Sequence, residues 1–265
     1  MNKKEDLLNQ ATLFKQQLDE IRPFPVEVVR NLREDFTIKN TYHSNAIEGN
    51  SLTLYETKAV LEDGVTIPGK SFREHAEANN HKEAIEYVED LINEDLPLNQ
   101  RTIKDIHAIV LQGIDRAIAG KYRNTPALIT GANHIPPSPE LIQDEMDQLI
   151  QWYEDNEELH PVEKASLLHA KFVNIHPFGD GNGRTSRLLM NFELMKAKYS
   201  PITIEKDDRF KYYEVLDVSG TEDDYAPFTE FIAERSVNTL ENYLNFLEGY
   251  QINHDLNDKK IISFV

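Results

Sequence analysis

The stretch TSRLLMNFELMKAKY, Thr185 to Tyr199, is a helical segment with Leu188, Leu189, Met190, Phe192, Leu194 and Met195 crowded into eight positions. A helix that is apolar over most of its circumference has to be surrounded, so it belongs at the core and the rest of the chain must cover it. The cover reads as helix nearly end to end. LLNQATLFKQQLDEI spaces Leu, Phe and Ile at helical intervals and stops before Pro23 and Pro25. VEVVRNLREDFTIKNTYHSNAIE runs to Gly49, a plausible C-terminal stop. Thr53 and Glu56 then form a capping box that opens a helix ending near Gly64, and SFREHAEANNHKEAIEYVEDLI follows. Beyond Leu98, NQRTIKDIHAIVLQGI, PELIQDEMDQLIQWYEDN and PVEKASLLHAKFVNI keep the helical pattern. In the last of these Pro161 suits a first helical position, and Ala165, Leu168, Phe172 and Ile175 share one buried face. RFKYYEVL and YAPFTEFIAERSVNTLENYLNFL make the C-terminal third helical too. One segment differs: ALITGANHI sets apolar arms around a Gly/Asn turn and reads as a short β-hairpin. The expected fold is therefore all-α, a helical bundle with one short hairpin.

Composition narrows the function. Asp and Glu number 46 against 28 Lys and Arg, a formal charge of -18. Such a surface repels phosphate backbones and anionic lipid, and no basic run exceeds a Lys-Lys pair, so neither nucleic acid nor membrane is an expected partner. With no cysteine the chain has no disulfide, thiolate metal site or cysteine nucleophile. MNKKEDLLNQ turns polar where a signal peptide needs an apolar run, and no apolar segment approaches the roughly 18 residues of a membrane span. A soluble, cytoplasmic protein is expected. The apolar ending IISFV could serve a partner or simply pack.

Two glycine-rich windows compete as phosphate sites. GVTIPGKS, Gly64 to Ser71, spells G-x-x-x-x-G-K-S, the pattern of a P-loop. That mechanism needs a buried strand feeding the loop, whereas LYETKAVLED before it reads as helix. Pro68 also removes an N–H from the middle of the loop. The window is a connector between helices. HPFGDGNGRTSR, His176 to Arg187, is different. Pro177 disfavours helix at His176 and leaves the imidazole at a helix mouth, where it can take a proton from an attacking hydroxyl. Gly179, Gly181 and Gly183 let the backbone approach a ligand, and the loop delivers free N–H groups to the start of the next helix, an anion site. Arg184 and Arg187, three apart, share a face of its first turn and can fork onto phosphate oxygens. Asp180 is a hard oxygen ligand beside them, as Mg²⁺ requires. His169 and His176 are seven apart and could share a face, but no third ligand lies near enough for zinc.

HPFGDGNGRTSR resembles the Fic motif, H-x-F-x-[DE]-G-N-G-R-x-x-R, at every defined position. The resemblance runs from about Thr41 to the helix near Ser236 and takes in NAIEGNSLTL, KYR, ITGANHIPP, HPVE and PITI…RFKYYEVL. It implies a Fic fold, with the hairpin as a flap over the active site, and protein AMPylation: AMP passes from ATP to a target hydroxyl and pyrophosphate leaves. His176 would be the general base, Asp180 the Mg²⁺ ligand, and the Gly181-Asn182-Gly183 backbone the anion hole, with Asn182 orienting the α-phosphate. Arg184 and Arg187 would bind the distal phosphates, with Thr185 and Ser186 in the same nucleotide-binding stretch, and Phe178 would wedge into the core. Thr130, Gly131, Ala132, Asn133 and His134 would form the flap, which pairs by main chain with the target. Tyr212 and Tyr213 match a pair near the adenine, although buried packing is equally compatible. Gly220 stands where related sequences carry an Asn that contacts the nucleotide, so that contact is not expected. Ser44 and Glu48 match the inhibitory motif [ST]-x-x-x-E-[GN], which implies a Glu48–Arg187 ion pair that withholds the γ-phosphate site from ATP.

The same resemblance divides the chain into an N-terminal helical segment with the inhibitory motif (1–95), a catalytic core (96–200) and C-terminal helices completing the nucleotide pocket (201–265). Its implied partners are ATP, a target protein with an accessible hydroxyl, possibly the chain itself, and a second copy in a homodimer. Two further functions use the same pocket. Removal of AMP from a modified protein would employ Glu48 to orient water, and a non-catalytic nucleotide-binding regulator would only bind. A kinase-like branch of the family usually departs from GNGR, which this chain keeps.

Overall fold

The structure is a computed structural model that describes residues 3–253 and 261–262. Lys259-Lys260 and the end of IISFV after Ile262 lie outside the described residues. Among the described residues ten α-helices follow one another: α1 (Lys3–Ile21), α2 (Val26–Ile47), α3 (Leu54–Asp63), α4 (Phe72–Asn93), α5 (Gln100–Val110), α6 (Ile142–Asp155), α7 (Pro161–Ile175), α8 (Asn182–Lys196), α9 (Arg209–Thr221) and α10 (Ala226–Asn253). The only β structure among the described residues is a two-residue antiparallel bridge, Phe24–Pro25 with Ile261–Ile262.

The helix at the centre is α8. From Arg184 to Met195 every residue is buried, and α7, α5, α4 and α2 pack around it. A polar group inside this core needs a partner, and Asn191 finds one. Asn191 donates to the Ile202 carbonyl at 2.9 Å and accepts from its N–H at 2.8 Å, which fixes the chain after α8 in an extended course. The N-terminal segment is part of the same packing: α1 lies along α10, and α2 and α4 both reach α8.

Local chemistry sets the helix ends. Thr53 and Ser71 each begin a helix through a reciprocal capping box, with Glu56 and Glu74. Gly64, at φ 64°, closes α3 in the left-handed conformation that glycine adopts without penalty. So GVTIPGKS bridges two helices, with no strand before it.

ALITGANHI does not form the expected hairpin ladder. Its tip is a turn, Ala132 N–H to the Ile129 carbonyl at 3.2 Å, with Gly131 at φ 84°, and no strand is present between 121 and 138. Other elements hold the backbone groups that a ladder would use. Arg123 takes the carbonyls of Thr125 and Pro137, and Asp217 takes the N–H groups of Asn133 and His134.

Candidate active site

α7 stops at His176 because Pro177 follows it. The His backbone turns left-handed, φ 49°, while its N–H still closes the helix on the Phe172 carbonyl at 3.1 Å. That uncommon conformation for a non-glycine residue is fastened by Arg123. The Arg123 Nε donates to the His176 carbonyl at 2.8 Å, and its backbone N–H to that of Pro177 at 2.9 Å. The other guanidinium nitrogens reach Thr125 (2.9 Å) and Pro137 (2.6 Å), so one buried arginine joins the His176 turn to both ends of the flap. Burial pushes the His176 imidazole down to about 4, with the Arg123 charge adding to it. It is neutral at physiological pH and can accept a proton.

The loop after His176 is built around Phe178, fully buried and stacked on the His107 ring at 3.6 Å and 2°. His107 has a fixed tautomer. Its Nδ1 accepts from the Gly120 N–H at 2.9 Å, so Nε2 carries the proton and donates to the Asp180 carbonyl at 2.9 Å. Asn182 staples the loop shut, donating to the Phe178 carbonyl (2.8 Å) and accepting from its N–H (2.9 Å). The Asn182 side chain is therefore buried and occupied in shaping the turn. Gly181, at φ 77°, precedes α8 with no side-chain cap, and a Cβ there would lie 3.3 Å from His107 Nε2. An uncapped first turn at the positive end of a helix dipole is an anion site.

Three charged groups surround it. Asp180 Oδ1 accepts from Gly181 N–H at 2.6 Å and from Arg184 at 3.3 Å, and Oδ2 accepts from Arg73 at 2.6 Å. Burial works against ionisation of Asp180, but the charges of Arg184 and Arg73 and the Gly181 N–H outweigh it, holding the carboxyl below its usual range. Arg184 is buried, its Nε and NH1 without a hydrogen-bond acceptor; Glu77 faces NH1 at 3.3 Å as an ion pair only. Arg187 is buried as well and fully engaged. Its Nε donates to Ser44 Oγ (2.9 Å), and its NH2 to the Ser44 carbonyl (2.9 Å) and to Glu48 Oε1 (2.7 Å). The Glu48 carboxylate lies directly on the first turn of α8: a Cβ at Gly183 would fall 2.2 Å from Oε1. Only glycine admits that approach.

Several candidates from the sequence sit elsewhere than expected. Thr185 and Ser186 fall between the two arginines on the helix, and that phase turns both hydroxyls into the core. Ser186 bonds the Gly183 carbonyl (2.8 Å) and His169 (3.0 Å), so neither side chain lines the anion site. Tyr212 is buried behind Arg187, its hydroxyl bonded to His169 at 3.0 Å and accepting from Arg187 at 3.4 Å; Tyr213 is half-buried. In the flap, Asn133 and His134 are moored to α9 through Asp217, and Thr130, Gly131 and Ala132 carry the turn. Gly220 has a local reason: a Cβ would lie 2.5 Å from His134, whose Nδ1 faces the Gly220 carbonyl at 2.9 Å and whose Nε2 faces that of Asn174 at 2.8 Å. Beyond the flap a cavity of about 470 Å³ is lined by His134, Ile135, Trp152, Lys171, Asn174 and Tyr225 among others, and by no charged group of the anion site.

Among the described residues no three His, Cys, Asp or Glu side chains converge as a metal cage. Asp180 is a single carboxylate donor, its Oδ2 hydrogen-bonded by the Arg73 guanidinium at 2.6 Å. Such a donor fits a hard divalent ion held mainly by water and substrate phosphates.

Comparison with known proteins agrees with this geometry. Residues 97–194 match the Fic/DOC family. A solved fragment of Fic-1 from C. elegans superposes with a TM-score of 0.85 at 29% identity, covering 93% of this chain and 73% of the fragment. A variant of that fragment gives 0.82 at 30% identity with the same coverage. The chain belongs to the Fic family. Curated Fic relatives named protein adenylyltransferase Fic include one from Nematostella vectensis, 38% identical over 95% of this chain and 58% of its own length. Another, from Drosophila grimshawi, is 39% identical over 82% of this chain and 44% of its own. The chain thus spans about half the length of the curated Fic relatives it matches.

Four side chains that organise this Fic site carried no individual role in the sequence: Arg73, His107, Arg123 and Asp217. KYR belonged to the resemblance, but nothing local says that its arginine ties down the His176 turn. The others are equally ordinary in their own helices.

Proposed function

We propose that this chain is a protein adenylyltransferase, restrained by its own N-terminal segment, that transfers AMP from ATP to a Ser, Thr or Tyr hydroxyl of a target protein. The observation that carries it is the uncapped start of α8, where neutral His176, anionic Asp180 and two buried arginines meet around one anion position. The target hydroxyl oxygen attacks the α-phosphorus as its proton passes to His176. The bond to the β-phosphate breaks, and pyrophosphate departs. Asp180 is the residue that would hold Mg²⁺, an ion that would supply charge neutralisation for the phosphates. The first-turn N–H groups of α8 and Arg184 stabilise charge on the phosphates, the largest contribution in this type of transfer. Tyr213 is the aromatic residue left to border the base, and the flap offers main-chain groups to the target.

In the resting arrangement Glu48 keeps Arg187, so ATP binds without its γ-phosphate clamp. Residues 1–95 then act as the restraint, 96–200 as the catalytic core, and the helices from 201 as the wall of the nucleotide pocket. The family resemblance supports extending the proposal to a homodimer that adjusts the restraint, to self-modification and to a cytoplasmic location; no described helix is long and apolar enough to cross a membrane. A second reading, removal of AMP from a modified protein, is favoured by the placement of the Glu48 carboxylate against Gly183, where it could orient a water molecule.

Incubation with α- or γ-labelled ATP tests the proposal. Label is expected on protein from the α-phosphate alone, and His176→Ala should reduce it by about 100-fold or more. Label from the γ-phosphate makes the chain a kinase, and transfer surviving in His176→Ala removes that residue as the base.

A further inference from the structure

Each charged group of the anion site is engaged by the N-terminal segment. Glu48 holds Arg187 at 2.7 Å and Glu77 faces Arg184 at 3.3 Å, two carboxylates where phosphate oxygens would lie. Asp180 has the opposite partner, the Arg73 guanidinium at 2.6 Å. Arg73 and Glu77 are four residues apart on one face of α4, and Arg73 Nε also donates to Glu77 at 3.0 Å. The segment is therefore a charge replica of a metal–nucleotide complex: anions on the arginines and a cation on the carboxylate. Its connection to the inhibitory motif is direct, because Asn50 donates to Glu77 at 3.0 Å and Asn45 to the Glu77 carbonyl at 3.2 Å.

We propose that Arg73 is a surrogate cation that occupies Asp180 at rest, so that a divalent ion can bind there only by displacing it. This rests on the adenylyltransferase reading through the assignment of Asp180 as the metal ligand. Arg73 is about half exposed and Asp180 about two-fifths exposed, so the pair is a solvated one and displacement is easy. The restraint thus has two parts of unequal strength: a buried one on Arg187 and an exposed one, sensitive to cation concentration, on Asp180.

The test is calorimetric titration of the full chain with α,β-methylene-ATP, an uncleavable analogue, with and without saturating Mn²⁺. The readout is the factor by which Mn²⁺ tightens nucleotide binding. Arg73→Gln should raise that factor about 3- to 5-fold, the range open to a half-exposed ion pair, while Arg30→Gln, an equal charge change on an exposed residue of α2 paired with Glu34, should leave it alone. Asp180→Asn should bring the factor close to one whether or not Arg73 is present. An unchanged factor in Arg73→Gln, with Asp180→Asn still lowering it, overturns the surrogate and spares the metal assignment. A factor unaffected by Asp180→Asn, or no nucleotide binding by any of the chains, overturns the metal assignment and the surrogate together.

Discussion

The starts of α4 and α8 look alike in sequence: GVTIPGKS leads into one and GDGNGRTSR into the other, each a glycine-rich turn with a basic residue and a hydroxyl. In the fold they are opposites. At α4 a capping box satisfies two of the orphan N–H groups, since Ser71 accepts from Glu74 N–H and the Glu74 carboxylate accepts from Ser71 N–H at 2.7 Å. Lys70 is turned away onto Ser51 and Glu56. The carboxylate at this start belongs to the helix's own cap, and the segment is exposed. At α8 no side chain caps the first turn, the helix is buried, and Arg184 retains donors without acceptors. A glycine–basic–hydroxyl pattern therefore marks a phosphate site only where the helix start is left unsatisfied and walled off from water.

That contrast breaks most visibly at the two basic residues. Arg184→Gln should weaken ATP binding about 10- to 100-fold, the loss of a charge-assisted hydrogen bond in a buried place. Lys70→Gln should leave ATP affinity unchanged. Calorimetric titration with the uncleavable analogue measures both, with the melting temperature recorded so that a loss of fold is not mistaken for a loss of contact. ATP affinity falling with Lys70→Gln and not with Arg184→Gln would reverse the assignment of the two windows.

The next effect sharpens the α8 side of the comparison. An anion does rest on its first turn, the Glu48 carboxylate, and Glu48→Gly removes it. AMP transfer from α-labelled ATP should then rise by about 10-fold, in the range of one charged hydrogen bond. No rise would leave Glu48 as a structural end of α2 with no part in restraint.

Much of this was legible in sequence because the deciding interactions are short-range. The capping box at Thr53, the Pro177 stop at His176 and the face shared by Arg184 and Arg187 each lie within four residues. The flap was misread as a ladder because its backbone partners, Arg123 and Asp217, are side chains from outside the turn. Helical phase alone argues against Thr185 and Ser186 as ligands once the arginines are placed on the site, a step the motif hides by running all these residues together. Arg73 and His107 could not be read at all: they meet Asp180 from α4 and α5, and no local pattern announces a contact that the packing of three helices creates.

The smallest expected effect concerns the α4 side, where the cap stabilises the fold and has no ligand to bind. Ser71→Ala should cost about 1 kcal/mol at pH 7, the usual value of an N-cap hydroxyl. It should leave AMP transfer unchanged. Part of the cap depends on charge. Hydrogen bonds from Ser51 and Ser71 hold the Glu74 carboxyl down to about 2, below its ordinary 4.5. A carboxyl depressed in the folded state stabilises fully above its unfolded value and loses that contribution as pH falls toward the folded one. Urea unfolding of the native chain and of Glu74→Gln should therefore diverge most near neutrality and converge between pH 4.5 and 2. If the gap instead widened in acid, the Glu74 charge would not belong to the cap, and α4 would lose the feature that separates its start from that of α8.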